Sequence, residues 1–237
     1  MTLAPVLMRQ GRLVRERTPL LPEPPGDRFG LEPSAGTTDA LRLTVVGEST
    51  AAGVGVDDQR DALPHCLAVE LAERWCRRVE WIALARTGAT AGVAARELVP
   101  TAPHDQDIVV IVLGVNDAMK IIPRKTWRAR INRLIDTLQQ HLRPGGQVVL
   151  AGLPNLGNFR TFPHPLRAVL GWHSRALDRD LRRIAAQRSA VVHVPMPAVT
   201  WPTMFADDLF HPNAPAYRAW AIHLADALDR YACQPFG

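Results

Sequence analysis

The sequence predicts an α/β protein, a three-layer α/β/α sandwich built on a five-stranded parallel sheet. Three observations carry this. From residue 41 onward, short apolar runs of strand length alternate with longer stretches of helical spacing, the βαβα order of a doubly wound fold. The runs are continuous rather than alternating, as in Ile108-Val109-Val110-Ile111-Val112-Leu113, which suits strands covered on both faces. Finally, 237 residues with 47% hydrophobic and 22% charged side chains have an ordinary globular composition. A domain of this length buries about 70% of its unfolded surface and needs no disulfide or metal to hold it.

Residues 1–38 contain Pro5, Pro19, Pro22, Pro24, Pro25 and Pro33, each fixing φ and removing a backbone donor, so an extended arm without regular structure is expected there. Residues 39–237 then form a single domain. Its strands are expected at 41–46, 79–85, 108–113, 147–153 and 190–194, and its helices at 61–78, 91–98, 126–142, 165–188 and 214–231. Pro144-Gly145-Gly146 marks the stop after the third helix.

Several classes are set aside early. No stretch approaches the roughly 20 apolar residues that span a bilayer. Arg9, Arg12, Arg15 and Arg17 interrupt the window a signal peptide keeps apolar, so a cytoplasmic chain is expected. Cys66 and Cys76 on one helix would stand about 15 Å apart, too far to bridge, and Cys233 has no obvious mate. There is no CxxC, HExxH or zinc-spaced cluster, and neither metal nor cofactor is expected. The net charge of +5 is carried by scattered arginines, densest between Arg124 and Arg143, which read as a solvated helix surface. Nucleic acid is not the expected partner, although a basic interaction module with a vestigial site is the alternative function. Residues 1–30, rich in Leu, Val and Arg, offer a possible peripheral membrane contact.

In open parallel sheets, ligands sit beyond the carboxyl ends of the strands. There the sequence supplies Gly47-Glu48-Ser49-Thr50, Arg86-Thr87-Gly88, Gly114-Val115-Asn116-Asp117 and Asp208-Leu209-Phe210-His211. These are the parts acyl transfer requires. A serine hydroxyl needs a base, for which His211 is the candidate, and the imidazole needs a carboxylate on Nδ1, which Asp208 supplies from the same turn. The Ser49 and Gly88 N–H groups and the Asn116 amide could then stabilise the oxyanion.

The ordered set Ser49, Gly88, Asn116 and His211 resembles the SGNH hydrolase family, the GDSL-type esterases and lipases. The match spans about 165 of the 237 residues. The resemblance implies a flavodoxin-like hydrolase fold. It also implies a catalytic triad of Ser49, Asp208 and His211, and an oxyanion hole of Ser49, Gly88 and Asn116. One departure stands out: Glu48 occupies the place where the family usually has Asp, one methylene shorter. The second block carries only its glycine, with Gly92 nearby as the alternative.

Gly47-Glu48-Ser49-Thr50-Ala51 also fits G-x-S-x-A, but the α/β-hydrolase elbow needs several strands before its serine, and only 48 residues precede this one. Gly47, Gly53 and Gly55 lack the dinucleotide spacing. A serine esterase acting on small-molecule or lipid esters is therefore expected, with short to medium acyl chains favoured. Leu156, Phe159, Phe162 and Pro163, with Met119, Ile121, Ile122 and Pro123, are candidates for an acyl pocket. Among the other histidines, His193 is read as core and His164 as facing the site.

Overall fold

A computed structural model describes residues 4–34, 37–197 and 202–232. Cys233 lies outside them. A six-stranded sheet runs in the order β1-β3-β2-β4-β5-β6, formed by β1 (Phe29–Glu32), β2 (Thr37–Gly47), β3 (Arg77–Ala85), β4 (Gln106–Val112), β5 (Leu142–Ala151) and β6 (Val191–Val194). The five strands expected from sequence are all present and mutually parallel. Their order is that of a doubly wound flavodoxin-like sheet. The sixth, β1, pairs antiparallel with β3 on the outer edge. It is short and half-exposed, with none of the apolar run that betrays a buried strand.

The parallel strands face both ways. Leu43, Val45, Ile108, Val110 and Val112 pack into one core, under α2 (Leu63–Trp75) and α7 (Ala214–Ala232). Val46, Val109, Ile111 and Leu113 pack into the other, under α5 (Arg124–Gln139) and α6 (Leu166–Ala186). This is the period of two that a pleated strand imposes. Helix α5 buries Trp127, Ile131, Leu134, Ile135 and Leu138 along one stripe, each contributing about 1.5–3 kcal/mol. Arg124, at its start, grips the fully buried Asp180 of α6 through two bonds of 2.8 and 2.6 Å.

The N-terminal segment departs from expectation. Ala4–Arg17 forms a helix, α1, which leans on the second core through Leu7 and Val14. Gln10 fixes it by donating to the His164 carbonyl at 2.6 Å and accepting from the Leu166 N–H at 3.0 Å. The prolines did not forbid it: Pro5 sits in the first turn, where a missing N–H costs nothing, and the next proline is Pro19. Beyond the helix the chain is tied across the domain. Glu23 accepts from the Thr87 N–H (2.8 Å) and from Arg28 (2.5 Å), and the Pro24 carbonyl accepts from Gln59 (3.1 Å).

Two expected helix ends also move. Cys76 is not in a helix; it caps α2 in the left-handed region at φ 48°. Residues 91–98 divide into a short α3 (Ala91–Val93) and a π-helical turn, Ala94–Leu98. Among the described residues, no helix is long and apolar enough to cross a membrane.

Candidate active site

Strand β2 ends at Gly47, where a Cβ would lie 2.4 Å from that of Ala51 and 2.6 Å from the Val112 carbonyl oxygen. Only glycine lets the chain turn so tightly here, and the turn presents Ser49 at the carboxyl edge of the sheet. His211 arrives from the loop before α7. Its Nε2 lies 2.8 Å from the Ser49 Oγ, and its Nδ1 lies 2.5 Å from Asp208 Oδ2. Ser49, His211 and Asp208, three of the expected residues, form one continuous hydrogen-bonded chain at this edge.

The Asp208 turn is preorganised. Asp208 Oδ1 accepts from the N–H groups of Phe210 and His211, both at 2.9 Å, with Leu209, between Asp208 and Phe210, held at φ 53°. Burial pushes the Asp208 carboxyl up, but the bonds from His211 and Phe210 outweigh it and hold the group below the usual carboxylate range. The aspartate therefore stays ionised beside the imidazole. The turn is also locked to the serine loop. Tyr217 Oη donates to the Val54 carbonyl at 2.7 Å, and Gly55, at φ 106°, passes so close that a Cβ would meet the Pro212 carbonyl oxygen at 2.3 Å.

Asn116 lies in α4 (Val115–Met119), directly after β4. The buried Glu48 ties it to the serine loop: Oε1 accepts from the Val115 N–H at 2.9 Å, and Oε2 accepts from the Asn116 N–H at 2.9 Å and from its side-chain amide. One amide hydrogen is thus engaged and the other is available. Gly88 sits on an exposed turn at φ 78°, and its carbonyl accepts from Lys120 at 3.4 Å; like Asn116, it is not part of the wall of the apolar cavity beside Ser49. Asp117 links the two loops, its Oδ2 accepting from the Ala91 N–H at 2.8 Å.

Glu48 is the functional residue whose weight the sequence understated. Burial pushes its carboxyl up to about 7, the nearby Asp117 adds to this, and the N–H donors of Asn116 and Val115 oppose it. Between pH 4.5 and about 7 the folded protein then holds a proton that the unfolded chain has released. The associated stability is full below that window and is lost as pH rises through it. The melting temperature of Glu48→Gln minus that of the wild type should accordingly increase from pH 4.5 to 7.5. A difference independent of pH would show that Glu48 titrates normally.

Ser49 and His211 open onto an apolar cavity of about 80 Å³, walled in part by Leu153, Phe159, Met196, Phe205, Phe210 and Trp220. Of the residues expected to line it, only Phe159 does. Leu156 and Phe162 turn into the core, while Met119 and Ile121 are exposed. Nor does His164 line it. His193, read as core, is nearly enclosed and contacts Asp178 at 3.0 Å.

Residues 45–219 match the GDSL-like lipase/acylhydrolase family, close to three quarters of the chain. The protein belongs to that family. A GDSL-like esterase of Mycobacterium tuberculosis is 31% identical over 202 residues, covering 79% of this chain and 63% of that protein. The chain thus spans just under two thirds of that relative's length. Among solved structures, TesA superposes with a TM-score of 0.64 at 21% identity, covering 80% of this chain and 98% of that one. The psychrotrophic esterase EstA from Pseudoalteromonas sp. gives 0.62 at 18%, covering 81% and 99%. Both likenesses establish the GDSL-type fold.

Proposed function

We propose that this GDSL-family protein is a serine esterase that hydrolyses carboxylic esters through an acyl-enzyme on Ser49. Residues 39–237 form the hydrolase unit in this reading. The observation that carries it is the His211 ring, bridging the Ser49 hydroxyl at 2.8 Å and the ionised Asp208 at 2.5 Å. As Ser49 Oγ attacks the ester carbonyl, its proton passes to His211 Nε2 and Asp208 stabilises the imidazolium. The tetrahedral oxyanion is met by the free hydrogen of the Asn116 amide and the peptide N–H groups of Ser49 and Gly88. Collapse expels the alcohol, which takes the proton from Nε2. Water, deprotonated by the same nitrogen, then releases the acid and restores Ser49.

Acyl preference follows from the cavity. A small apolar space of about 80 Å³ beside Ser49 suits a short to medium acyl chain. The apolar wall favours hydrocarbon over sugar. Labelling with a fluorophosphonate followed by peptide mapping tests the nucleophile directly. The probe should attach to Ser49 alone, and stoichiometric attachment at any other residue would overturn the reading.

A further inference from the structure

A second cavity, of about 470 Å³, opens beside the first and shares Leu153, Phe159, Met196 and Phe205 with its wall. Its chemistry is different. Helix α6 runs along it and turns Arg175, Arg179 and Arg182 toward it, spaced so that one helical stripe carries all three. Among the described residues, Asp178 is the one carboxylate in that wall, and its Oδ1 is already engaged. That oxygen accepts from the Leu153 N–H at 3.0 Å and meets His193 Nε2 at 3.0 Å. Arg182 stands 3.6 Å from Asp178, and Arg175 donates to the Asn155 side-chain oxygen at 3.0 Å. Arg179 makes no hydrogen bond or ion pair among the described residues. Three guanidinium groups against one committed carboxylate leave the cavity with an excess of positive charge.

We propose that this cavity is a subsite for an anionic group, a phosphate in the first instance, carried on the alcohol portion of the ester. The proposal rests on Ser49 being the nucleophile and deepens that reading. The narrow apolar cavity takes the acyl chain, so the alcohol must be directed elsewhere, and the wider opening next to it gives a leaving group room to depart. Guanidinium forks match the oxygens of a phosphate in bidentate fashion. Phe159 and Phe205 belong to both walls, so the two cavities adjoin along an apolar edge. Because the three arginines are exposed, their replacement leaves the cores untouched.

The test compares kcat/KM for the hexanoyl ester of glycerol 3-phosphate with that for monohexanoylglycerol, both as monomers, so that adsorption to a lipid surface does not enter. The wild type should prefer the phosphorylated ester by about tenfold. This preference should be largely lost in Arg179→Ala, reversed in Arg179→Glu, and weakened at high salt. Monomethyl adipate, whose charge lies on the acyl side, should gain nothing over methyl hexanoate. Fluorophosphonate labelling of the same samples separates the two readings. If Ser49 is labelled but the esters are cleaved equally, or the preference survives Arg179→Ala, the subsite is wrong and the nucleophile stands. If the adipate is the preferred anion, the placement on the alcohol side is overturned. If Ser49 is not labelled and neither ester is cleaved, both fall.

Discussion

Ser49→Ala is expected to lower kcat/KM for a p-nitrophenyl ester by about 10⁴- to 10⁶-fold, because His211 then has no hydroxyl to activate. The fold should hardly register the change. The lost bond to His211 is worth about 1 kcal/mol, which for a chain of this size moves the melting temperature by about 2–4 °C. That separation is what distinguishes a chemical role from the capping role most serines after a strand play. Residual turnover within tenfold of the wild type, in a variant that melts normally, would remove Ser49 from the mechanism.

Asn116→Ala is expected to reduce kcat by about 10²- to 10³-fold with little change in KM. The argument lies in the Glu48 contacts. By accepting from both the peptide and the side chain of Asn116, Glu48 fixes the amide in one rotamer. Its remaining hydrogen is oriented before substrate arrives, so in the proposed mechanism it meets the charge that develops on the oxyanion rather than the neutral carbonyl. A variant whose loss appeared mainly in KM would place Asn116 in substrate binding instead. A loss below about fivefold would shift the oxyanion donors to the peptide groups.

What could be read in the sequence follows the physics of each signal. Strands β2, β4 and β5 were legible because burial on both faces demands continuous Val, Ile and Leu, and no other local pattern competes with that. The Asp208-x-x-His211 pair was legible because one turn preorganises it. The helix at Ala4–Arg17 was not, since a proline count over 38 residues hides where in the segment the prolines fall. Strand β1 is stabilised by β3, a partner some 50 residues away in the chain, and its own four residues carry no sign of that. The acyl cavity was misread for a similar reason: Phe159 and Phe162 sit three apart on one loop, yet one faces the cavity while the other packs inward. Glu48 was visible as a departure, but its grip on Asn116 depends on where β4 ends relative to β2.

The Ser49 hydroxyl and the His211 ring are 162 positions apart along the chain. A nascent polypeptide leaving the ribosome therefore carries its serine long before the imidazole that could activate it. In the proposed mechanism, a translation product that stops short of His211 lacks the base for Ser49, however well its first strands have paired.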